Sequence, residues 1–417
     1  MRTVLWLLVP SVLIPLPASG QDSILSAALR DNRHVVELDS AGNLSGDGGE
    51  LLLAAGRDAQ FFLIGEDHGI AEVPALAAAL FKALAPFGYA HLAIETGEPV
   101  AAHLNRLAEE PDAKAAIGDF VREYWPGVPF YGLEEEAELL IATVAAAGDG
   151  DDVIWGLDYD VMGDRYALHR LLELAPSEAA RRESEVVIAV ADSMLDSALT
   201  AGNPAGVFMF AGQDTLIAHL RAAYAPQPGS EADRIIALLE ETLRINAAFL
   251  ERRYADSNTL RARHLKRQFL RRYRGATGVN GALPRVMFKF GANHLVRGLN
   301  FTQVYDLGTL VHELAEAEGG RAFGLMVLGG EGSMAAHFDP RTFGYKPGPV
   351  ETRGLVELLY EDAEPRSWSL FDVRPLRQLL RDGELGQIDE RARQAIRGYD
   401  AVLILSGSGP SHPLVER

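Results

Sequence analysis

The sequence predicts an α/β protein with three layers, in which helices cover both faces of a largely parallel sheet. Short apolar runs, such as residues 61–64, alternate along the chain with longer stretches whose apolar residues recur at helical spacing. A run that is apolar at every position is typical of a strand buried on both faces. These two observations together favour an α/β/α sandwich over an all-helical or all-β fold.

Six segments have the pattern of buried strands. The first, 61–64, is followed by the sequence GEDHG and by a helical segment that Gly88 ends. The next strand, 91–94, completes a strand–helix–strand unit with the right-handed crossover expected of parallel strands. The other four strands are expected at 153–157, 285–290, 323–328 and 401–405.

A long helical stretch separates the third strand from the fourth. Residues 161–281 alternate apolar and charged positions at helical spacing, with Pro and Gly clusters at 202–206 and 226–229. We interpret this stretch as a helical insertion that covers one end of the sheet. The chain from 21 to 417 is therefore expected to form a single domain.

The amino terminus has the pattern of a signal peptide spanning residues 1–20. Arg2 precedes an apolar segment at 4–16, and the small residues Ala18, Ser19 and Gly20 offer a cleavage site. No later segment reaches the roughly 18 uninterrupted apolar residues of a membrane helix. We expect an exported protein, periplasmic or secreted, without stable membrane insertion.

Composition excludes several kinds of chemistry. The 417 residues include 39 Lys and Arg against 58 Asp and Glu, giving a formal net charge of −19 and arguing against nucleic-acid binding. The absence of cysteine excludes disulfides, thiolate nucleophiles, iron–sulfur clusters and Cys-ligated zinc. We therefore expect a small-molecule substrate handled by carboxylates, imidazoles, hydroxyls or guanidinium groups.

Polar residues fall where the predicted strands end. Five of them lie at or just past a carboxyl end: Glu66, His68, Glu95, Asp158 and His294. Carboxyl ends of parallel strands share one edge of the sheet, where ligands bind. Two histidines and up to three carboxylates in one pocket suit metal-assisted or general-base hydrolysis. Ordinary loop roles remain open, with Asp67 as a helix N-cap and Asp158 as a loop-ordering carboxylate.

Other motifs are incomplete. The nucleophile elbow Gly-x-Ser-x-Gly is absent, which argues against a serine hydrolase. The sequence HELAE at 312–316 has Glu316 where a zincin needs its second histidine, so a surface helix face is the better interpretation. The G-x-G-x-x-A pattern at 330–335 precedes no clear helix, which disfavours a dinucleotide site.

Three of these segments together resemble a known family. GEDHG at 65–69, AIE at 93–95 and GANH at 291–294 are similar to the erythromycin esterase family and its ChaN-like haem-binding and Tiki/TraB-like hydrolase relatives. The resemblance extends from about Phe61 to Pro413. One difference is that a single residue separates Glu66 from His68, where the erythromycin esterases have two; this spacing is closer to the ChaN-like and Tiki-like members.

The resemblance implies roles for individual residues. His68 would be a general base or metal ligand, Glu66 and Glu95 its acidic partners, and His294 the second histidine. Arg261 matches an arginine that the family places about thirty residues before the last histidine, although Ala262 and Leu265 depart from the surrounding pattern. A charged helix face is the alternative interpretation of Arg261.

The leading hypothesis is an exported hydrolase of ester, lactone or amide bonds. Water would be activated by His68, either as a free imidazole or through a divalent cation held by His68, Glu95 and His294. Arg261 and His294 would stabilise the developing oxyanion. The alternative hypothesis is a ChaN-like protein that binds haem or a metal ligand for uptake without catalysis. An inactive family member acting through interactions is a third.

Overall fold

The computed structural model describes residues 20–148, 152–160, 162–277, 281, 283–350, 359, 362–363, 367–386 and 388–416. Residues 1–19 of the expected signal segment lie outside the described residues, as does part of the chain between 350 and 367. The division into a signal segment and one domain therefore stays a prediction.

Eleven strands and sixteen α-helices can be assigned in the described part of the chain. The strands are β1 (Arg33–Leu38), β2 (Leu44–Ser45), β3 (Phe61–Glu66), β4 (Tyr89–Gly97), β5 (Ile154–Asp158), β6 (Arg285–Gly291), β7 (Ala322–Gly329), β8 (Met334–Asp339), β9 (Gly344–Pro349), β10 (Trp368–Asp372) and β11 (Ala401–Leu405). The helices are α1 (Gly20–Asp31), α2 (Gly46–Asp58), α3 (Glu72–Leu84), α4 (Glu98–Ala108), α5 (Ala113–Tyr124), α6 (Glu134–Ala147), α7 (Asp164–Glu173), α8 (Glu178–Ala201), α9 (Phe208–Ala211), α10 (Asp214–Tyr224), α11 (Glu231–Leu250), α12 (Tyr254–Ala276), α13 (Ala292–Leu295), α14 (Leu307–Ala317), α15 (Leu376–Asp382) and α16 (Glu390–Gly398).

The six predicted strands form the parallel part of a nine-stranded sheet. The strand order is β2-β1-β10-β11-β7-β3-β6-β4-β5, and the five pairings from β11 to β5 are all parallel. The predicted three-layer α/β/α fold is confirmed. Strands β10, β1 and β2 add an antiparallel edge. The sequence did not predict these three because they carry polar residues and lack a continuous apolar run.

The two faces of the sheet pack into separate cores. On β3, Phe62 and Ile64 belong to a core made with helices α2 to α6, whereas Phe61 and Leu63 face a core made mainly with α1, α12, α14, α15 and α16. All four side chains are fully buried because successive strand residues point to opposite faces, each covered by helices.

Helices α7 to α12 occupy the stretch between β5 and β6. Most of them pack around a third core, in which Leu168, Val187, Leu220 and Ile236 are buried. Helix α12 also packs along β5, which carries its residue 261 to the carboxyl edge of the sheet. None of the described helices is both long and apolar enough to span a bilayer.

Strands β8 and β9 form a hairpin outside the main sheet. They lie between the predicted strands 323–328 and 401–405, where no further strand was predicted. The hairpin contacts the carboxyl edge of the sheet, because Ala336 N–H donates to Gly69 O at 2.8 Å and Phe130 N–H donates to the Tyr345 hydroxyl oxygen at 2.9 Å. It therefore forms one wall beside the strand ends.

Candidate active site

A cleft of about 1020 Å³ opens at the carboxyl ends of the parallel strands. All five residues predicted as catalytic line it: Glu66, His68, Glu95, Arg261 and His294. The rest of the lining is largely apolar, including Phe301, Met326, Leu328 and Val350. The topology thus brings together residues that are more than 200 positions apart in the sequence.

Glu66 and His68 form a directly bonded pair at the end of β3. His68 Nδ1 lies 2.8 Å from Glu66 Oε1. Because that same oxygen also accepts a hydrogen bond from Lys289 Nζ at 2.7 Å, Glu66 acts as a carboxylate acceptor and Nδ1 as the donor. Nε2 is then the nitrogen of neutral His68 that carries the lone pair.

Lys289 is a site residue that the sequence reasoning missed. It lies on β6, is 1% exposed, and donates to both Glu66 at 2.7 Å and Glu136 of α6 at 2.6 Å. The signal was available in the run RVMFKF, because a lysine inside a fully buried strand needs a carboxylate partner. The partners themselves lie 223 and 153 positions away.

Buried charges shift the acid–base properties of this group. Burial opposes ionisation of Glu66, but the charges of Lys289 and His68 outweigh it and lower the Glu66 pKa. Burial raises the pKa of Glu136 to about 7, despite the attraction of Lys289. Burial alone would lower the pKa of His68, but Glu95 and Glu66 outweigh it and raise that pKa.

Phe130 fixes the His68 ring from one side. The two rings are stacked, with centroids 4.0 Å apart and an interplanar angle of 18°. Phe130 adopts a left-handed backbone conformation with φ of 62°, and its N–H is bound by the hydroxyl oxygen of Tyr345 on β9. Hairpin β8–β9 therefore supports the residue that holds the imidazole plane.

Glu95 lies between the two histidines. Its Oε1 accepts from Arg261 at 2.7 Å, and its Oε2 accepts from the Gly291 N–H at 2.7 Å. The Nε2 atoms of His68 and His294 each lie 3.5 Å from one of these oxygens. Burial opposes ionisation, but both histidines, Arg261 and the Gly291 N–H lower the Glu95 pKa to about 2.

Glycine at position 291 is required by this packing. A Cβ added there would lie 2.9 Å from His68 Nε2 and 3.4 Å from Glu95 Oε2. Any side chain would displace the imidazole or the carboxylate. The GANH segment thus begins with a glycine because the strand end approaches His68 closely.

Arg261 joins the ends of β4 and β5. Its Nε donates to Asp158 Oδ1 at 3.0 Å, and one terminal nitrogen donates to Asp158 Oδ2 at 2.5 Å and to Glu95. The guanidinium carbon lies 5.0 Å from the centre of the Tyr159 ring. Arg261 is therefore part of the site rather than of a solvated helix face.

His294 is oriented by a carboxylate that the sequence reasoning also missed. Its Nδ1 lies 2.8 Å from Asp306 Oδ2, and the other oxygen of Asp306 accepts the Leu307 N–H at the start of α14. An aspartate directly before a helix was the available signal, since such residues cap helices. Its pairing with His294 depended on the fold.

Two minor expectations were wrong. The N-cap of α3 is Ala71, so Asp67 does not cap that helix. Asp67 lines the cleft instead, and burial raises its pKa to about 6. His312 does not lie on a surface helix face, because it is 5% exposed.

The arrangement fits a metal ion poorly. Among the described residues, no group of three or more His, Asp or Glu is arranged to hold one. His68, Glu95 and His294 do meet, but both Glu95 oxygens already accept hydrogen bonds, one from a guanidinium group that would repel a cation. We therefore derive the chemistry from the side chains alone.

Comparison with solved structures identifies the fold. An erythromycin esterase mutant, EreC, in its open conformation matches 88% of this chain and 95% of its own at 15% identity, with a TM-score of 0.59. A Bacillus cereus protein matches 94% and 99% at 14% identity, with a TM-score of 0.57. A succinoglycan biosynthesis protein matches 95% and 99% at 12% identity, with a TM-score of 0.60.

These similarities establish a shared three-layer α/β/α fold and a structural resemblance to an esterase. The comparisons with protein-family models and with curated proteins find no match. The chain is thus a three-layer α/β/α protein with a cleft at the carboxyl ends of its parallel strands, in which charged residues meet. Its particular activity depends on the site.

Proposed function

We propose that the protein is a hydrolase that cleaves an ester, lactone or amide bond with water activated by His68. The observation that carries the proposal is the hydrogen bond between Glu66 and His68 Nδ1, which leaves Nε2 directed to the cleft beside Glu95. A carboxylate that orients an imidazole in this way prepares it to take a proton from water. The esterase among the structural neighbours supports the same class of reaction.

The reaction uses each residue in a defined step. His68 Nε2 removes a proton from water while the water oxygen attacks the carbonyl carbon, and Glu66 stabilises the imidazolium that forms. Charge on the carbonyl oxygen is stabilised by Arg261 at the cleft wall, and His294 adds a hydrogen bond only as an imidazolium, because its Nδ1–H is bound by Asp306. The tetrahedral intermediate then collapses, and His68 returns the proton to the leaving oxygen or nitrogen.

Glu95 is assigned a positioning role. It fixes Arg261 and the Gly291 backbone on one side and lies 3.5 Å from each histidine Nε2 on the other. Its low pKa keeps it ionised, so it favours the protonated form of His68 that appears during the reaction.

The direct test compares two histidines of the same cleft. Wild type, His68→Ala and His337→Ala are assayed on p-nitrophenyl butyrate, on simple lactones and on erythromycin, with chelator present. His68→Ala should lose at least about 100-fold in kcat/KM on any substrate that the wild type cleaves, as expected for loss of a general base. His337 lines the cleft from β8 without contacting Glu66 or Glu95, so its variant should stay within about threefold.

Equal activity of wild type and a folded His68→Ala protein would remove the proposal. A haem titration of the wild-type protein tests the binding alternative, since a Soret shift without hydrolysis of any substrate would favour it.

We also propose that the chain is exported, because residues 1–20 have the order of a signal peptide. Expression of the full chain in a bacterium and amino-terminal sequencing of the periplasmic protein should give Gln21 as the first residue. Retention of Met1 would contradict export by cleavage.

A further inference from the structure

A second cavity, of about 220 Å³, lies among helices α4, α7, α11 and α12, and the candidate catalytic residues do not line it. Four arginines line it: Arg106, Arg170, Arg234 and Arg272. Only two carboxylates, Glu98 and Glu231, face the same space. The arginines outnumber the carboxylates of the lining by two, although Asp152 binds Arg272 and Glu173 binds Arg170 from outside it.

Glu98 accepts hydrogen bonds from three guanidinium groups, of which only Arg272 has a second carboxylate partner among the described residues, Asp152 at 2.6 Å. Glu98 accepts from Arg234 at 2.9 Å, from Arg271 at 2.7 Å and from Arg272 at 3.4 Å. Burial lowers the pKa of Arg271; the charge of Glu98 opposes this shift, and the nearby charges of Arg272 and Arg234 add to it. Like charges are thus crowded around one carboxylate, which is the situation that a bound anion relieves.

Donors remain unused in the cavity. Arg234 of α11 binds Glu98 through Nε and the Gly229 carbonyl oxygen through one terminal nitrogen, which leaves its other terminal nitrogen without a partner among the described residues. Arg106 contacts His103 and the Tyr166 hydroxyl but has no carboxylate partner among the described residues. Arg170, in contrast, is held by Glu231 through two hydrogen bonds. The geometry leaves guanidinium donors from two different helices available to a ligand.

We propose that this cavity binds a compact oxyanion, namely a phosphate or phosphoryl group. Guanidinium groups match such oxygens with paired, charge-assisted hydrogen bonds. The volume lies below the roughly 300 Å³ at which pockets for drug-sized ligands begin, so a small anionic group fits better than a large organic molecule. The site is separate from the cleft, and its test does not depend on hydrolysis.

The test measures binding of inorganic phosphate to the full chain by calorimetry, at an ionic strength held constant with chloride. Wild type should bind phosphate, and Arg106→Gln should weaken that binding about tenfold or more, since a hydrogen bond to a charged group is lost. Arg106→Glu should abolish it. The matched control is Arg263→Gln, because Arg263 is an exposed arginine of α12 that does not line the cavity.

Each outcome decides the proposal. Phosphate binding that Arg106→Gln weakens and Arg263→Gln leaves unchanged supports it. No more heat than chloride gives, or equal weakening by both variants, overturns it in favour of a purely structural arginine network. A parallel titration with glycerol phosphate distinguishes the sources: tighter binding than phosphate assigns the site to the phosphoryl group of a larger molecule, and weaker binding assigns it to the free ion.

Discussion

Two charge clusters beside the cleft have the same arrangement of charges but different surroundings. In each, one cation lies between two carboxylates: Lys289 between Glu66 and Glu136, and Arg261 between Glu95 and Asp158. The lysine cluster is closed, because all three of its side chains are at most 3% exposed. The arginine cluster is open, because the Arg261 side chain is 24% exposed.

This difference in exposure separates a cation that supports a catalytic residue from a cation that can contact the substrate. Lys289 does not line the cleft, so it can act only by fixing Glu66 and, through it, His68. The guanidinium group of Arg261 lines the cleft and can meet a substrate oxygen directly. Similar charge patterns therefore serve different purposes, depending on whether the cation is exposed to the cleft.

The largest effect is expected where the closed cluster is broken. Lys289→Met leaves two buried carboxylates without their cation, which should lower the free energy of unfolding by about 3–5 kcal/mol at pH 8. The loss of unfolding free energy should be smaller at pH 5, where the two carboxylates that have lost their cation can take up protons. Urea unfolding at both pH values measures this.

The control for that variant is Lys114→Met. Lys114 also lies between two glutamates, at 2.5 Å from Glu134 and 2.7 Å from Glu138, but on the surface. Its loss should cost less than about 1 kcal/mol. An equal loss of unfolding free energy for both lysines would contradict the inference that burial makes the Lys289 cluster important for stability.

Breaking the open cluster should affect catalysis more than folding. Arg261→Gln should lower kcat/KM about 100-fold or more on a verified substrate, because a donor to the developing oxyanion is lost. Its unfolding free energy should fall less than that of Lys289→Met. Arg267→Gln on the same helix, which removes an exposed ion pair with Glu241, should leave kcat/KM unchanged. A wild-type rate for Arg261→Gln would place the arginine outside the reaction.

Asp160 and Asp164 sharpen the comparison, because both are buried and neither has an ion-pair partner among the described residues. Burial raises the pKa of Asp160 to about 7, and burial with repulsion from Asp160 raises that of Asp164 to about 8. A raised carboxyl pKa means that the folded protein holds a proton which the unfolded chain has already released above pH 4. Stability therefore falls as the pH rises from about 4 to about 8.

Asp164→Asn should remove this dependence. The variant and the wild type should differ by less than about 1 kcal/mol at pH 5, and the variant should be the more stable by on the order of 2 kcal/mol at pH 9. Thermal or urea unfolding at the two pH values measures the difference. The same difference at both pH values would show that Asp164 is ionised throughout.

The smallest effect is expected at hairpin β8–β9, which supports Phe130 and so holds the ring of His68. Tyr345→Phe removes the hydroxyl oxygen that binds the Phe130 N–H, which should cost about 1 kcal/mol of unfolding free energy and lower kcat a few-fold. Tyr254→Phe, at a tyrosine that is 51% exposed, is the control and should change neither. Unchanged kcat in Tyr345→Phe would mean that the hairpin does not position His68.

Much of the architecture could be predicted from periodicity. The six predicted segments became the six parallel strands, because strands covered on both faces are largely apolar on both. The antiparallel edge was missed because β1 and β10 are partly exposed and carry charged or polar residues. The position of Glu95 near the end of a strand could be predicted from the sequence, but its hydrogen bonds with Arg261 and the Gly291 N–H could not.

The sequence by itself determined which residues lie at the carboxyl edge of the sheet, since a residue's place in a strand follows from local pattern. Only the tertiary structure decided which of them touch. Lys289 meets Glu136 across 153 positions, and Arg261 meets Asp158 across 103, through the packing of α6 and α12 against the sheet. Local periodicity fixes the face on which a side chain lies, whereas its charge partner depends on how separate elements pack.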